Sequence, residues 1–243
     1  MLLWLVAVGF FMQTLDATIV NTALPAMAQS LNTSPLHMQT VLVAYSLTMA
    51  MLIPISGWMA DRFGTRRVYM GAILVFVLGS LLCGLAATVP QLVVARIVQG
   101  AGGALLLPVG RLAVLRGYPR ARFLAAMRFV AIPGLICPLL GPALGGWLVQ
   151  FASWHWVFFI NVPVGLVGWL VAQKFLPDFR GSNVQRLDAA GYALLALGMM
   201  FVSLSVDGFA GFGWSLGMIA AVMLTGIGCL AAYWQRAAQQ EHP

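Results

Sequence analysis

The sequence predicts an all-α polytopic membrane protein, and three observations lead there. Of 243 residues, 61% are hydrophobic and only 8% are charged, against about 25% charged residues in soluble domains. The apolar residues come in runs near the ~20 residues that a bilayer-spanning helix needs if its backbone is to satisfy its own hydrogen bonds. The basic residues avoid every second connection between those runs, which is a topology signal.

Eight spans follow, at about 3–25, 38–60, 68–88, 91–111, 125–149, 156–175, 188–207 and 214–235. The first has no basic leader and runs beyond the length of a signal-peptide core, so it reads as a span. The connection after it lacks Lys and Arg, whereas "DRFGTRR" after span 2 holds Arg62, Arg66 and Arg67. The turn near 88–90 has none, and the next connection holds Arg111, Arg116, Arg120 and Arg122. "QFASWH" has none, and Lys174, Arg180 and Arg186 follow span 6. "DGFAGFG" has none, and Arg236 follows span 8. By the positive-inside rule both ends of the chain face the cytoplasm. Trp4, Trp58, Trp147, Trp154, Trp156, Trp214 and Trp234 lie near span ends, where an indole can be half wet; Trp169 alone is well inside. The net charge of +7 is thus a loop signal, and no nucleic-acid patch is expected. "PISGWMADRF" at 54–63 and "PALGGWLVQF" at 142–151 share Pro, Gly and Phe, a faint repeat relating spans 1–3 to spans 4–6. Three spans reverse direction, so the repeat is inverted, a device of transporters.

Charges at bilayer depth are costly and usually functional. Asp16 stands in "LDATIVNTALP", roughly 18 Å along the helix from Trp4 at 1.5 Å per residue. Gln13 shares its side of the helix, while Thr14, Thr18, Asn21 and Thr22 cluster elsewhere, so span 1 belongs between other helices or beside a cavity. In span 4, Arg96, Gln99 and Gly103 form one stripe, and Gly100, Gly102 and Gly103 permit close helix approach. An arginine cannot escape burial by losing its proton. Its obvious partner is Asp16. The pair is either a structural tie between spans 1 and 4 or a proton-coupling or ligand site. A buried carboxyl group beside a cation is pulled both ways, burial favouring the neutral form and the cation the charged one.

"GWMADRFGTRR" at 57–67 ends span 2, with Gly64 suited to a tight turn and Asp61 among basic residues. It reads equally as a plain positive-inside turn or as a breakable latch. In span 5, Pro133, Pro138 and Pro142 each remove a backbone donor, and Gly134, Gly141, Gly145 and Gly146 flatten one side, so a bent, closely packed helix is expected. Asp188 is expected as a helix N-cap, Asp207 as a span-end residue near water, and His155 as an interfacial belt residue. Cys83, Cys137 and Cys229 lie in apolar runs without paired spacing and read as packing residues. The sequence has no metal-ligand spacing, phosphate loop or nucleophile constellation, so neither a cofactor nor enzymatic activity is expected.

Taken together, "LDATIVNTALP", "GWMADRFGTRR", "RIVQGAGGA", "CPLLGPALGGWL" and "WHWVFFINVPVG" resemble, in order, the motifs of the major facilitator superfamily, in particular its fourteen-span drug:proton antiporter branch. The likeness covers nearly the whole chain. Met59, Thr65, Cys137 and His155 depart from the usual leucine, basic residue, glycine and arginine. The resemblance implies a six-helix bundle over 1–176 built as a 3+3 inverted repeat. A cytoplasmic linker at 177–187, two additional transmembrane helices at 188–236 and a cytoplasmic tail at 237–243 would follow. It further implies proton coupling at Asp16, Arg96 and Gln99, and a gating loop of Gly57, Asp61, Arg62, Gly64, Arg66 and Arg67. Gly141, Pro142, Gly145 and Gly146 would form an antiporter helix.

The expected function is proton-coupled export of small molecules across the bacterial inner membrane. Export of an organic anion or metal chelate, and a non-transporting assembly or sensor module, are the alternatives. The branch continues into a second bundle, so this chain is expected to be an N-terminal portion that does not transport alone. A missing C-terminal bundle or a second copy would cover its polar faces.

Overall fold

The computed structural model describes residues 1–181, 187–210 and 213–239, without the side chains of Arg120 and Ala210. Arg186 and residues 240–243 of the expected tail lie outside the described residues. Ten helices and no strand occur among the described residues: α1 (Leu2–Ser30), α2 (Pro35–Leu52), α3 (Ser56–Phe63), α4 (Thr65–Gly84), α5 (Val89–Gly117), α6 (Arg120–Phe151), α7 (Trp156–Phe159), α8 (Asn161–Phe175), α9 (Ala189–Ala210) and α10 (Leu216–Ala238).

With α7 and α8 taken as one segment, seven of these described helical segments are long and apolar enough to cross a bilayer. The remaining span is α2 and α3 together, bent by 57°. The sequence shows this span as one run over 38–60, without a break. Pro54 stands in the break between the two helices and has no N–H to continue the ladder. Elsewhere the helices outrun the expected spans, because α1, α5 and α6 reach 29, 29 and 32 residues and project past a ~30 Å hydrocarbon layer. Local chemistry sets several starts. Ser34, Thr88 and Ser215 each accept a hydrogen bond from a backbone N–H three residues on, and Pro stands in the first turn of α2 and α5.

Packing pairs α1 with α6, α2 with α5, α4 with α5 and α8, and α9 with both α10 and α2. Glycines set the closest approaches. At Gly102 a Cβ would overlap the backbone of Phe76, and at Gly79 it would overlap that of Gln99, so α4 and α5 touch main chain to main chain. Gly100 and Gly103 lie against Tyr45 of α2. Two buried clusters flank this contact, one around Tyr69, Phe76 and Leu106, the other around Ile19, Met27, Met38, Leu92 and Phe158.

The three prolines of span 5 do not interrupt α6, which is a single helix. Its near face packs on α1, with Gly134 against Phe10, Gly141 against Thr18 and Gly145 against Ile19 and Thr22. Gly146 does not share that face. A Cβ there would meet nothing within 4 Å, since one residue turns the helix by about 100°.

Candidate functional site

Asp16 and Arg96 meet in the interior. Arg96 Nη1 donates to Asp16 Oδ2 at 2.6 Å, and the side chains are 1% and 0% exposed. Arg96 Nη1 also donates to Gln99 Oε1 at 2.7 Å. The other carboxylate oxygen, Oδ1, accepts from Gln99 Nε2 at 2.8 Å and from Asn161 Nδ2 at 2.9 Å. Both amides give their second hydrogen to Ser80 Oγ, at 3.0 and 3.1 Å. The Ser80 hydroxyl in turn donates to the Phe158 carbonyl at 3.0 Å. Each amide N–H is therefore used once, and Asp16 receives three donors. Such saturation lets a carboxylate persist away from water.

Five helices hold this junction: α1 gives Asp16, α4 Ser80, α5 Arg96 and Gln99, α7 the Phe158 carbonyl, and α8 Asn161. The close contact at Gly79 brings Ser80 within reach of Gln99. Cys83 borders the junction, its Sγ 3.6 Å from Gln99 Oε1. On the α2 side the Arg96 guanidinium carbon lies 4.1 Å from the centre of the Tyr45 ring, a cation–π contact in a desolvated setting. Arg96 Nε and Tyr45 Oη are buried without a partner. A cavity of about 190 Å3 is lined in part by Asn21, Tyr45, Ser46, Arg96 and Asp207.

Gln13 stands apart from the junction and reaches Met49 Sδ at 3.9 Å. The threonine face of α1 turns to α6: Thr18 Oγ1 donates to its own helix and lies 3.3 Å from the Cys137 carbonyl.

A family model described as Major Facilitator Superfamily matches residues 6–242. The chain belongs to that superfamily. Among curated relatives it is 53% identical over 235 residues to the "Putative multidrug resistance protein MdtD" of Serratia proteamaculans, covering 97% of this chain and 49% of that protein. It is 52% identical over 239 residues to the protein of the same name from Pectobacterium atrosepticum, covering 98% and 51%. The chain thus spans about half the length of the curated relatives it matches. A solved transporter of the POT family in complex with 5-aminolevulinic acid superposes with a TM-score of 0.70 at 16% identity, covering 99% of this chain and 53% of that one. The human organic anion transporter MFSD10 gives 0.64 at 14% identity, covering 85% and 55%. At these identities the structural likeness speaks to fold alone.

The second motif region of this superfamily chain forms a joint between α3, α4 and the segment after α8. Asp61 pairs with Arg116 of α5 at 2.5 Å. Gly64 has φ +93°, a conformation open to glycine at little cost, and a Cβ there would run into the Asp178 carboxylate. Thr65 takes the position where a basic residue is usual. It is buried, donating from Oγ1 to the Pro177 carbonyl at 3.1 Å and accepting from the Phe179 N–H at 2.9 Å. Its own N–H donates to the Phe179 carbonyl at 2.9 Å, and the Gly181 N–H donates to the Asp61 carbonyl at 3.2 Å. Asp178 Oδ1 accepts the Arg66 N–H at 3.2 Å, at the positive end of α4, and the Arg66 guanidinium donates to the Gln173 carbonyl. Arg62 and Arg67 point outward, and Gly57 has open space where a Cβ would be.

Sequence reasoning reached Asp16, Arg96 and Gln99 but missed Ser80, Asn161, Tyr45 and Asp178. Asn161 stood inside "WHWVFFINVPVG", and a polar amide there was a usable signal. Asp188 precedes α9, and its carboxylate also pairs with Arg236 of α10 at 2.7 and 2.9 Å. His155 stacks on Trp154 at 3.6 Å.

Proposed function

We propose that this chain is the N-terminal portion of a proton-coupled secondary transporter that exports small molecules, in the manner of multidrug efflux. The observation that carries the reading is the ion pair at Asp16, fully buried in a membrane bundle and gripped by donors from other helices. A charge kept at such depth costs about 2.5–3.5 kcal/mol on insertion scales, and Asp16 can exchange its charge for a proton. In this reading Asp16 loads a proton while Arg96, Gln99, Asn161 and Ser80 rearrange around it. The loop of Gly57, Asp61, Arg62, Gly64, Arg66 and Arg67 opens and closes the cytoplasmic end. The α6 helix, with Gly141, Pro142, Gly145 and Gly146, seals the path. The bundle spans 1–176, a linker 177–187, and two further transmembrane helices 188–236, with both termini on the cytoplasmic side of the bacterial inner membrane. While Asp16 is charged it matches Arg96, and neutral or cationic amphipathic substrates are then favoured over organic anions.

The test joins this chain to the half of the Serratia proteamaculans relative that it does not match and reconstitutes the hybrid in vesicles with an imposed pH gradient. Lipophilic cationic dyes and citrate-like anions are offered in parallel. Gradient-driven movement of the dyes, lost in Asp16→Asn, is expected. Movement independent of the gradient, or unchanged in Asp16→Asn, overturns the coupling role. The 243-residue chain reconstituted alone is expected not to transport.

A further inference from the structure

The Asp16–Arg96 pair is sealed on its α4 and α8 sides by the amide and serine bonds described above. On its α1–α2 side the 190 Å3 cavity approaches it, and a second carboxylate, Asp207 of α9, lines the same cavity as Arg96. Asp207 has no hydrogen-bond or ion-pair partner among the described residues. It is only partly exposed, near the end of an apolar helix. A carboxylate in that setting is tolerated when it is hydrated or protonated. Tyr45 and Arg96 line the same space, while their unpaired atoms, Tyr45 Oη and Arg96 Nε, are buried behind that lining. Asn21 and Ser46 complete the polar lining. At ~30 Å3 per water, the volume has room for several waters.

The depth of these groups agrees with a path. Asp207 is 18 residues into α9, roughly 27 Å from its start at 1.5 Å per residue. Arg96 is seven residues into α5, roughly 10 Å from its start. Both lie toward the helix ends remote from the arginine-bearing junctions, the side that the loop charges place outside the cytoplasm. The α9 helix is held in register by its packing on α2 and by the Tyr192 hydroxyl, which donates to the Met51 carbonyl at 3.0 Å. Among the described residues, the ionisable groups around the cavity are few. Arg96 is matched by Asp16, Tyr45 faces Arg96, and His37 lies two turns outward on α2. Between Leu216 and Gly228, α10 carries no ionisable side chain.

We propose that Asp207 is the outer proton station of this bundle, relaying protons from the non-cytoplasmic side to Asp16 through water in the cavity beside Arg96 and Tyr45. The proposal rests on the proton-coupling reading and deepens it by giving the first helix after the bundle a part in the path. A proton from outside water binds the Asp207 carboxylate. It passes along hydrogen-bonded water in the cavity to the Arg96 side of the junction, and ends as the O–H of Asp16. Asp207 returns to its carboxylate form. Charge and atoms balance with water as the only co-reactant.

The experiment uses the 243-residue chain in lipid nanodiscs, labelled with 13C-aspartate and followed by time-resolved infrared spectroscopy after a jump from pH 8 to pH 5. The five aspartates are assigned by single Asp→Asn variants. In Asp207→Asn, protonation of Asp16 is expected to reach the same extent but at least about tenfold more slowly, and Asp207→Glu is expected to restore the rate. Asp207→Ser supplies the same comparison should the asparagine variant not fold. Equal rates with and without Asp207 overturn the relay while leaving Asp16 as the coupling residue. An Asp16 that takes up no proton at all in the parent chain overturns both.

Discussion

Asp16→Asn isolates the buried ion pair with the smallest change of shape. The asparagine oxygen can keep the hydrogens of Gln99 and Asn161, which Oδ1 now holds at 2.8 and 2.9 Å. The new amide nitrogen then faces Arg96 Nη1, donor against donor, where Oδ2 stood at 2.6 Å. Arg96 keeps Gln99 Oε1 and the Tyr45 ring but loses its counter-charge. Removing one member of a buried pair costs about 3–5 kcal/mol, similar to the ~2.5–3.5 kcal/mol of an uncompensated arginine at the centre of a spanning helix. Arg96→Gln strands the carboxyl instead, and a proton can neutralise that group whereas nothing neutralises a guanidinium. It should therefore cost less than Asp16→Asn. The double variant removes both charges, so its cost should fall short of the sum of the two single costs by about 2 kcal/mol, a coupling of the size found for contacting residues. Denaturant unfolding in mixed micelles, run as a double-mutant cycle, measures this. Additivity to within about 0.5 kcal/mol would show that the two charges are not energetically linked, and the reasoning would fall.

Three further outcomes follow from other sites. Gly145→Ala should weaken the α1–α6 contact, because its Cβ would sit 3.0 Å from Ile19 Cγ1 and 3.1 Å from the Ile19 carbonyl. Gly146→Ala should be neutral or stabilising by up to ~1 kcal/mol through helix propensity; equal melting shifts for the two would contradict the packing described. Thr65→Val deletes one donor and one acceptor that hold residues 177–179, at about 0.5–1.5 kcal/mol per bond. Hydrogen exchange at the Phe179 amide should then accelerate, while exchange in α5 stays constant. Burial pushes the His155 imidazole below its usual value, so the folded chain binds this proton less readily than the unfolded chain. That contribution to stability is whole above the ordinary histidine range and falls as the pH drops through it. Melting of the parent between pH 7.5 and 5.5 should therefore decline more than that of His155→Gln, and parallel curves would assign no such role to His155.

What the sequence made legible is what the bilayer enforces one residue at a time. Helices could be read because the hydrocarbon layer imposes a length and denies the backbone water. Asp16 and Arg96 could be paired because a lone charge at depth costs kilocalories, and each was the other's natural neutraliser. Their companions escaped for the opposite reason. Ser80 can satisfy its hydroxyl within its own helix, so nothing in "VLGSLL" obliges it to meet Gln99. That meeting depends on Gly79 letting α4 and α5 touch. Asp178 and Arg66 are 112 residues apart, and their contact follows from where α8 ends against α4. The faces of α6 show the same limit. Gly145 and Gly146 look alike in "PALGGWL", yet only Gly145 meets Ile19, because the rotation of α6 is fixed by its partner helix.

Asp207 brings both cases into one residue. Its charge is legible, and near a span end it reads as a group that water can reach. Its neighbours are not legible, because they depend on α9 lying against α2 rather than elsewhere around the bundle. That placement turns an ordinary span-end carboxylate into one that faces the same cavity as Arg96. Moving α9 away from α2 would leave the Asp16 junction chemically intact while removing Asp207 from its approach. Loosening the anchor that Tyr192 makes to the Met51 carbonyl, by Tyr192→Phe, should therefore slow proton arrival at Asp16 in the infrared pH-jump experiment without altering its extent. A rate unaffected by that substitution would mean that the helix contacts of α9, not this hydrogen bond, hold Asp207 in place.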